Sequence, residues 1–363
     1  MDAPVSLAPA DPVGGTPGGR RQRPRPGLEL GVLGVVGVLL AAAFIAGGAS
    51  LYREFYSPTA FVLRYLDLLA EGRAGDARAV PGVDLDADAL EKAGLSANAS
   101  DALLRSSVLA PLSDIEAVSE EADGDVTRVS VRYRVGGTDG QTTFEVQQQG
   151  WIGPLPQWRF ATSPLAVVDL TVRGSMRFDV NDFAIDKRQI AGDAVDPLAS
   201  LPLLVFSPGL YSISVDTAIS ATPGVAVLAD APRTGIPVDI QAEPTDEFVS
   251  VVQQRVDEFL AACATQQVLQ PTGCPFGFQV RNRIVGEPAW SIVAQPEVRV
   301  EPDGAAWKIV PADATAHIDV TIRSLFDGSV RDVSEDVPFV VSGSITVLAD
   351  GTASIQVAGG NAP

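Results

Sequence analysis

One uncharged apolar run near the start of the chain constrains its fold more than any other feature. Residues 30–51 read LGVLGVVGVLLAAAFIAGGASL and contain no Asp, Glu, Lys or Arg. About 20 apolar residues suffice to cross the hydrocarbon core of a bilayer as a helix. The run therefore predicts a transmembrane helix over residues 28–52, which separates a short leading segment from about 310 following residues.

Basic residues before this run predict its orientation. Arg20, Arg21, Arg23 and Arg25 lie in the Pro/Gly-rich segment 1–27, and arginine-rich flanks stay on the cytoplasmic side. That segment buries too little apolar surface to fold, so we expect a disordered cytoplasmic tail. The rest would lie outside a plasma membrane that the chain spans once. Cleavage as a signal peptide is the alternative, but the run exceeds the usual apolar core of about 7–15 residues, which favours an uncleaved signal-anchor.

Net charge limits the partners of the outer region. The chain carries a formal charge of −19 and has a pI near 4.4. An acidic surface repels phosphate backbones, which argues against nucleic acid as a partner. Solubility is the simplest explanation of the charge, and attraction to a cationic partner or to divalent cations is the alternative. Lysine occurs only at Lys92, Lys187 and Lys308, whereas Arg, Ala, Val, Gly and Asp are abundant, which is typical of high-GC actinobacteria.

Residues 57–163 predict an α+β module. Ser57-Pro58 is a helix start, with serine as the N-cap and proline in the first turn. Apolar residues then recur at helical spacing and would form one buried face, namely Phe61, Val62, Tyr65, Leu66 and Leu69. Short helices are predicted over Asp86–Ala93 and Ala99–Ser106. The period then changes to two and predicts an antiparallel meander, beginning with the alternation Val129, Val131, Tyr133 and Val135.

Two further modules are predicted after the first. Residues 164–242 contain short apolar runs separated by turn signals and no convincing helix, which indicates a small β-sandwich. Residues 244–359 begin again with a helical face, formed by Phe248, Val252, Val256, Phe259, Leu260 and Cys263. Strands are predicted to follow, among them Trp307–Val310, His317–Arg323 and Val337–Leu348. The chain would therefore contain two helix-plus-curved-sheet modules that flank an all-β module.

This layout resembles a known family. A long amphipathic helix followed by a bent antiparallel sheet resembles the cystatin-like, NTF2-like fold. The order of tail, anchor and modules resembles the TcaA-like envelope proteins of Gram-positive bacteria. The segment LPLLVFSPGLYSISV, centred on Pro208, Gly209 and Tyr211, is similar to their strand–Pro-Gly–Tyr–strand signature. The resemblance implies a cell-envelope role, near wall synthesis or antibiotic response. Relatives often carry a cytoplasmic zinc ribbon, but this tail has no cysteine.

Cys263 and Cys274 are the only cysteines, and both follow the predicted anchor. Disulfides persist outside the cytoplasm, so we predict that these two residues form one. A metal site is disfavoured because two thiolates would need histidine partners and the chain has one histidine. A redox-active pair would more often have the C-x-x-C spacing.

Candidate catalytic residues are few. No nucleophile elbow, zinc-protease helix or phosphate-binding loop is present in the sequence. His317 alternates with apolar neighbours and is predicted to lie on the polar face of a strand. Tyr65 and Asp76 could line an NTF2-like pocket that hosts acid–base chemistry, although Tyr65 fits the helix core better. We therefore expect no enzyme activity, no cofactor and no metal.

One basic surface is a candidate contact site. Arg128, Arg132 and Arg134 share a strand face and could contact an anion or a wall polymer. Cross-strand pairing with Glu145 on a solvated face is the simpler interpretation.

Together these features favour a non-enzymatic, single-pass cell-envelope protein. Its extracellular modules would act as a binding scaffold for an envelope protein or a cell-wall component, and they could also associate as a homo-oligomer. One alternative is an accessory subunit of a conjugation or transport channel, assembled through NTF2-like modules. Another is a small-ligand-binding or enzymatic NTF2-like pocket.

Overall fold

Sheet dominates the part of the chain that the computed structural model describes, residues 35, 38, 54–348 and 352–361. The predicted α+β class is confirmed at this level. The predicted tail and most of the predicted span 28–52 lie outside the described residues. Among the described residues, no helix has the length and apolar character needed to cross a membrane.

The first long helix, α1, spans Pro58–Ala70 and begins where the sequence predicts. The Ser57 hydroxyl accepts a hydrogen bond from the Ala60 amide at 3.0 Å, which satisfies a backbone donor that the first turn leaves free. The helix ends before Gly72, whose φ of +71° is the left-handed geometry that glycine tolerates. Its buried face contains all five predicted residues, Phe61, Val62, Tyr65, Leu66 and Leu69.

Short helices follow, with one correction to the sequence prediction. They are α2 (Ala74–Arg78), α3 (Ala87–Lys92) and a 3₁₀ turn (Ser106–Val108). The helix predicted over Ala99–Ser106 is wrong, because Ser100 pairs instead with a strand of the middle region. The Ser100 amide donates to the Pro202 carbonyl at 2.9 Å, and the Leu204 amide donates to the Ser100 carbonyl at 2.8 Å.

A four-stranded antiparallel meander completes the first region. Its strands are β1 (Leu112–Asp123), β2 (Val126–Val135), β3 (Thr138–Ile152) and β4 (Leu155–Phe160). Register shifts interrupt the β1–β2 and β3–β4 pairings, and such bulges bend a sheet. Helix α1 packs on this sheet, and an aromatic cluster of Phe61, Tyr65, Phe144 and Phe160 fills the space between them.

The middle region forms two facing sheets. Its elements are β5 (Leu165–Arg173), β6 (Arg177–Val180), β7 (Phe183–Asp186), α4 (Lys187–Ala191), β8 (Leu201–Phe206), β9 (Gly209–Ser214), β10 (Ser220–Ala221), β11 (Val225–Ala229) and β12 (Gly235–Gln241). One sheet has the order β12-β5-β8 and the other β11-β9-β6-β7. Buried side chains of both sheets belong to one apolar cluster. The short helix α4 was not predicted; the Asp186 carboxylate caps it by accepting from the Arg188 amide at 2.9 Å.

Strands β5 and β8 are buried on both faces. Alternate residues of β5 such as Val168 and Leu170 belong to the cluster of the two facing sheets, whereas Leu165 and Val167 belong to the cluster of the first region. The side chains of strand β8 are distributed in the same way. Leu203 belongs to the cluster of the two facing sheets, and Phe206 belongs to the cluster of the first region. The predicted first and middle modules therefore share two strands, each of which contributes side chains to both cores.

The third region packs one long helix on a six-stranded sheet. Its elements are β13 (Glu243–Pro244), α5 (Asp246–Ala264), β14 (Arg283–Ile284), β15 (Ala289–Ala294), β16 (Val300–Asp303), β17 (Ala306–Arg323), β18 (Val330–Val347) and β19 (Ala353–Asn361). Thr245 caps α5, as its hydroxyl accepts from the Phe248 amide at 3.1 Å. The two strands predicted over 307–310 and 317–323 are one continuous strand, β17, with a register shift after Ile309.

Candidate interaction surfaces

The predicted disulfide is confirmed. Cys263, in the last turn of α5, is bonded to Cys274, with a Cα–Cα distance of 5.8 Å. The loop that it closes is also held by Gln266, whose side-chain oxygen accepts from the Thr272 amide at 2.8 Å. Phe276 follows the loop and packs against the Trp290 ring with centroids 4.9 Å apart. The bond therefore joins the end of α5 to the segment that covers one end of the third core.

The predicted arginine surface is paired with carboxylates. Arg128 lies opposite Glu145 as predicted, 3.5 Å from its carboxylate and 2.9 Å from that of Asp123. Arg134 contacts Asp114 at 3.0 Å and Asp139 at 2.9 Å, and Arg132 reaches Glu116 at 4.0 Å. Because strands β1 and β3 supply these carboxylates, the arginines are largely neutralised within the sheet. The arrangement fits the cross-strand interpretation better than an anion site.

His317 lies on the polar face of β17, as the alternation predicts. Its Nδ1 is 2.6 Å from an Asp336 oxygen and its Nε2 is 3.0 Å from the Ser334 hydroxyl, both on the neighbouring strand β18. The order of groups is that of a Ser-His-Asp triad. The Asp336 carboxylate, which is hydrogen-bonded to the ring, raises the pKa of His317, as an acidic partner of a histidine does whether or not the cluster is catalytic. The Asp319 and Asp336 side chains beside it are each 64% exposed, as expected on a solvated sheet face. Strand pairing brings these groups together, which is why the sequence did not predict the cluster.

Tyr65 and Asp76 do not form a common site. Tyr65 is fully buried in α1, and burial raises its pKa well above the ordinary value. Its hydroxyl lies 3.3 Å from the Ser207 carbonyl of the middle region. Asp76 is exposed and forms an ion pair with Arg73 at 2.8 Å. These placements do not support an acid–base pocket built from Tyr65 and Asp76.

The Pro-Gly-Tyr segment forms the crossover between the two middle sheets. Strand β8 ends at Phe206 in one sheet, and β9 begins at Gly209 in the other. The Tyr211 hydroxyl donates to the Phe206 carbonyl at 3.0 Å. A side chain on Gly209 would meet the Tyr211 hydroxyl at 2.7 Å, so glycine is required there. The signature thus has a structural role, to which Tyr65 adds a contact from the first region.

A shallow groove separates helix α5 from strand β19. Its volume is about 380 Å³, and its walls are Arg255, Phe259, Ala353, Ile355 and Val357. Phe259 was predicted to belong to the buried face of α5, but it is only partly buried, because it lies beside that face and borders the groove. The Arg255 guanidinium at the rim contacts Glu258 at 2.8 Å. Four of the five lining side chains are therefore apolar, and the one charge at the edge is paired.

Strand β19 is the last strand of its sheet and pairs, among the described residues, with β18 alone. Its sequence, ASIQVAGGN, contains neither a charged residue nor a proline. Two other outer strands, β1 and β12, carry features that oppose further pairing. Strand β1 has register shifts and a run of acidic residues, and β12 contains Pro237 and Asp239. The apolar side chains of β19 line the groove, so backbone hydrogen-bonding groups and apolar surface are available along one edge.

The described residues contain no group of three or more His, Cys, Asp or Glu side chains that could hold a metal ion. Comparisons of the chain with models of protein families, with curated proteins and with solved structures gave no match.

Proposed function

We propose that this chain is a non-enzymatic, single-pass protein of the cell envelope whose outer region is a scaffold for a protein partner. The observation that carries this proposal is the edge of β19 with which no described strand pairs, beside the groove that Phe259 borders. An extended segment of a partner can add to such an edge through main-chain hydrogen bonds, while its alternate side chains enter an adjacent groove. A groove of this form supports binding of an extended chain more directly than chemistry on a small molecule.

The groove also indicates the chemistry of the segment that fits it. Ile355, Val357 and Phe259 offer apolar walls, and the strand contributes no charge. A segment with apolar residues at every second position would bury them there, whereas a charged residue at those positions would lose its hydration. We propose an extended, uncharged and alternately apolar segment of an envelope protein as the partner.

The anchor and the family are part of the same proposal. We propose that residues 28–52 span the plasma membrane, with residues 1–27 in the cytoplasm and the remainder outside. We further propose that 57–163 and 244–359 are NTF2-like modules around a β-sandwich at 164–242, as in TcaA-like proteins. Support comes from the capped helices α1 and α5, each of which is followed by an antiparallel sheet. Protease treatment of intact cells should remove the outer region, and its protection would contradict this topology.

Photocrosslinking in the native membrane tests the binding proposal. A photoreactive residue in place of Gln356, which is exposed on β19, should crosslink to a second protein. Phe259→Ser should reduce that product by about tenfold, because it removes an apolar wall of the groove. Val251→Ser is the matched control, since Val251 is 47% exposed on the same helix and does not line the groove.

Two results would contradict the proposal. Equal crosslinking in the Phe259→Ser and Val251→Ser proteins would mean that the groove takes no part. Crosslinks only between copies of this chain would assign the β19 edge to self-association.

A further inference from the structure

A second surface, far along the sheet from the groove, combines exposed apolar and basic side chains. It is the end of the β17–β18 hairpin, where Phe326 is 100% exposed and Leu325 is 73% exposed. More apolar residues with exposed fractions between 41% and 52% are found at this end, namely Ile284, Val285 and Val330. Ile284, in strand β14, pairs with Ile322, and the amide of the next residue, Val285, donates to the Thr321 carbonyl. These contacts place Ile284 and Val285 at the end of the hairpin. We call these five residues the hairpin tip.

Local hydrogen bonds fix the turn that presents the tip. The Ser324 hydroxyl accepts from the Phe326 amide at 3.2 Å, and the Ser324 amide donates to the Ser329 carbonyl at 2.8 Å. The Asp327 carboxylate accepts from both the amide and the hydroxyl of Ser329, at 3.1 and 2.8 Å. The side-chain hydrogen bond with Ser324, followed by those from Ser329, lowers the pKa of Asp327 to about 2. The polar groups of the turn are thus bonded to one another, and the two apolar side chains point outward.

Arginines flank the tip on both faces of the sheet. Arg283 lies directly opposite Arg323 across the β14–β17 pairing. Arg331 lies opposite Ile322, and cross-strand partners share a face, so Arg331 lies on the face where Ile322 enters the core. Because the adjacent residue Arg323 lies on the opposite face by strand alternation, the arginines occupy both faces of the sheet. Within the described part of the chain, none of these three arginines forms an ion pair. The acidic residues nearest in the hairpin are Asp327, bonded within the turn, and Asp332, which accepts from the Thr321 hydroxyl at 2.6 Å.

Two other places on the molecule provide internal comparisons. Arg128 and Arg134 on β2 each have a carboxylate partner within 3 Å. Arginines elsewhere in this protein therefore do form ion pairs, in contrast to those at the hairpin tip. The β3–β4 turn also exposes apolar residues, Trp151 at 60% and Ile152 at 63%, but these pair with Pro156 and Leu155, and the arginine of that register, Arg159, lies further along β4 opposite Gln147. The hairpin tip is distinguished by having both features together, in a chain with a net charge of −19.

We propose that the hairpin tip docks on the surface of a bilayer that contains anionic lipid. Exposed Phe and Leu flanked by arginines suit the interface, where apolar side chains reach the acyl boundary and cations meet anionic headgroups. The tip is convex, so it can enter a deformable lipid surface without a matching pocket. The local arginines also offset the repulsion that an acidic protein meets at such a surface. This contact is independent of the groove and of the proposed partner.

Depth-dependent quenching in reconstituted vesicles tests the contact on the full chain. The reporter is the tryptophan introduced by Phe326→Trp. Its fluorescence is obtained as the difference between the emission of the variant and that of the parent protein. Vesicles contain brominated phosphatidylcholine, either alone or with roughly a third of phosphatidylglycerol. We expect the introduced tryptophan to be quenched in the anionic vesicles and several-fold less in the neutral ones. Added salt should weaken the effect by screening the arginines.

Arginine replacement supplies the matched control. In Phe326→Trp combined with Arg323→Gln and Arg331→Gln, the apolar surface is unchanged, and binding should fall by about fivefold for each arginine removed. Because all three side chains are exposed, the fold should persist, which retention of the Cys263–Cys274 bond and of the far-UV spectrum checks.

Three results would overturn the proposal. They are no quenching in anionic vesicles, equal quenching in neutral vesicles, and quenching that the arginine replacements leave unchanged. A photoreactive residue at position 326 that crosslinks to a protein, without quenching by lipid, would instead identify the tip as a protein-docking site.

Discussion

Lys187 is a charged side chain with no exposed surface. It opens helix α4, and its ammonium group donates to the carbonyls of Val172 and Pro197. Burial lowers the pKa of Lys187 to about 8, from an ordinary value near 10.5. Between these two values the unfolded chain binds more protons than the folded one, so stability should rise with pH. Below pH 8 the lysine is protonated in both states, and the full cost of burying the charge is present.

Lys187→Met should abolish this rise. For the parent protein we expect the free energy of unfolding to gain up to about 3 kcal/mol between pH 8 and 10.5 from this group, since one pKa unit corresponds to about 1.4 kcal/mol. Urea unfolding at pH 7, 8, 9 and 10 measures the slope. Because burial raises the pKa values of Tyr65 and Tyr211 in the folded protein, ionisation of tyrosines in the unfolded chain near pH 10 would begin to lower stability, so the slope is taken between pH 8 and 9. A variant with the parent's slope would show that other groups cause the pH dependence.

At the scale of elements, the two long helices were predictable because their signals are local. Ser57 and Thr245 mark their starts, and apolar spacing marks their buried faces. The exceptions arise from pairing over long sequence distances. Ser100 joins a strand about one hundred residues later instead of forming a helix, and the Ser334–His317–Asp336 cluster exists only through the β17–β18 register. The groove and the hairpin tip were missed for the same reason, since each combines residues that are distant in sequence.

The disulfide gives a prediction about α5. Replacing both Cys263 and Cys274 by Ser should lower the stability of the third region by about 3 kcal/mol, as expected for a closed loop of this length. Hydrogen exchange should become faster in the loop, in the end of α5 and around Trp290, whose indole donates to the Val268 carbonyl at 2.8 Å. Strands β1–β4 should keep their protection. Reductant should cause the same faster exchange in the parent protein and have no effect on the double variant. A uniform loss of protection over all three regions would contradict a local role for the disulfide.

At the scale of the whole molecule, the predicted modules are unequally joined. The described residues from 56 onward form one compact unit, but the apolar clusters divide it. The first and middle regions share β5 and β8, which are buried on both faces and contribute side chains to two clusters. The third region has a cluster of its own, built on α5 and β17. Cooperative unfolding follows shared buried surface, so the first two regions should unfold together.

Leu66→Asp tests this coupling. Leu66 is fully buried in α1, and burying an unpaired carboxylate there costs several kcal/mol, comparable with the stability of a domain. Hydrogen exchange should therefore be accelerated through β1–β4 and also through β5, β8 and the facing sheet. Helix α5 and strand β17 should retain their protection. The reciprocal variant Leu260→Asp, at a fully buried position of α5, should open the third region and spare the first two. If Leu66→Asp left β5 and β8 protected, the first and middle regions would be independent modules despite the strands between them.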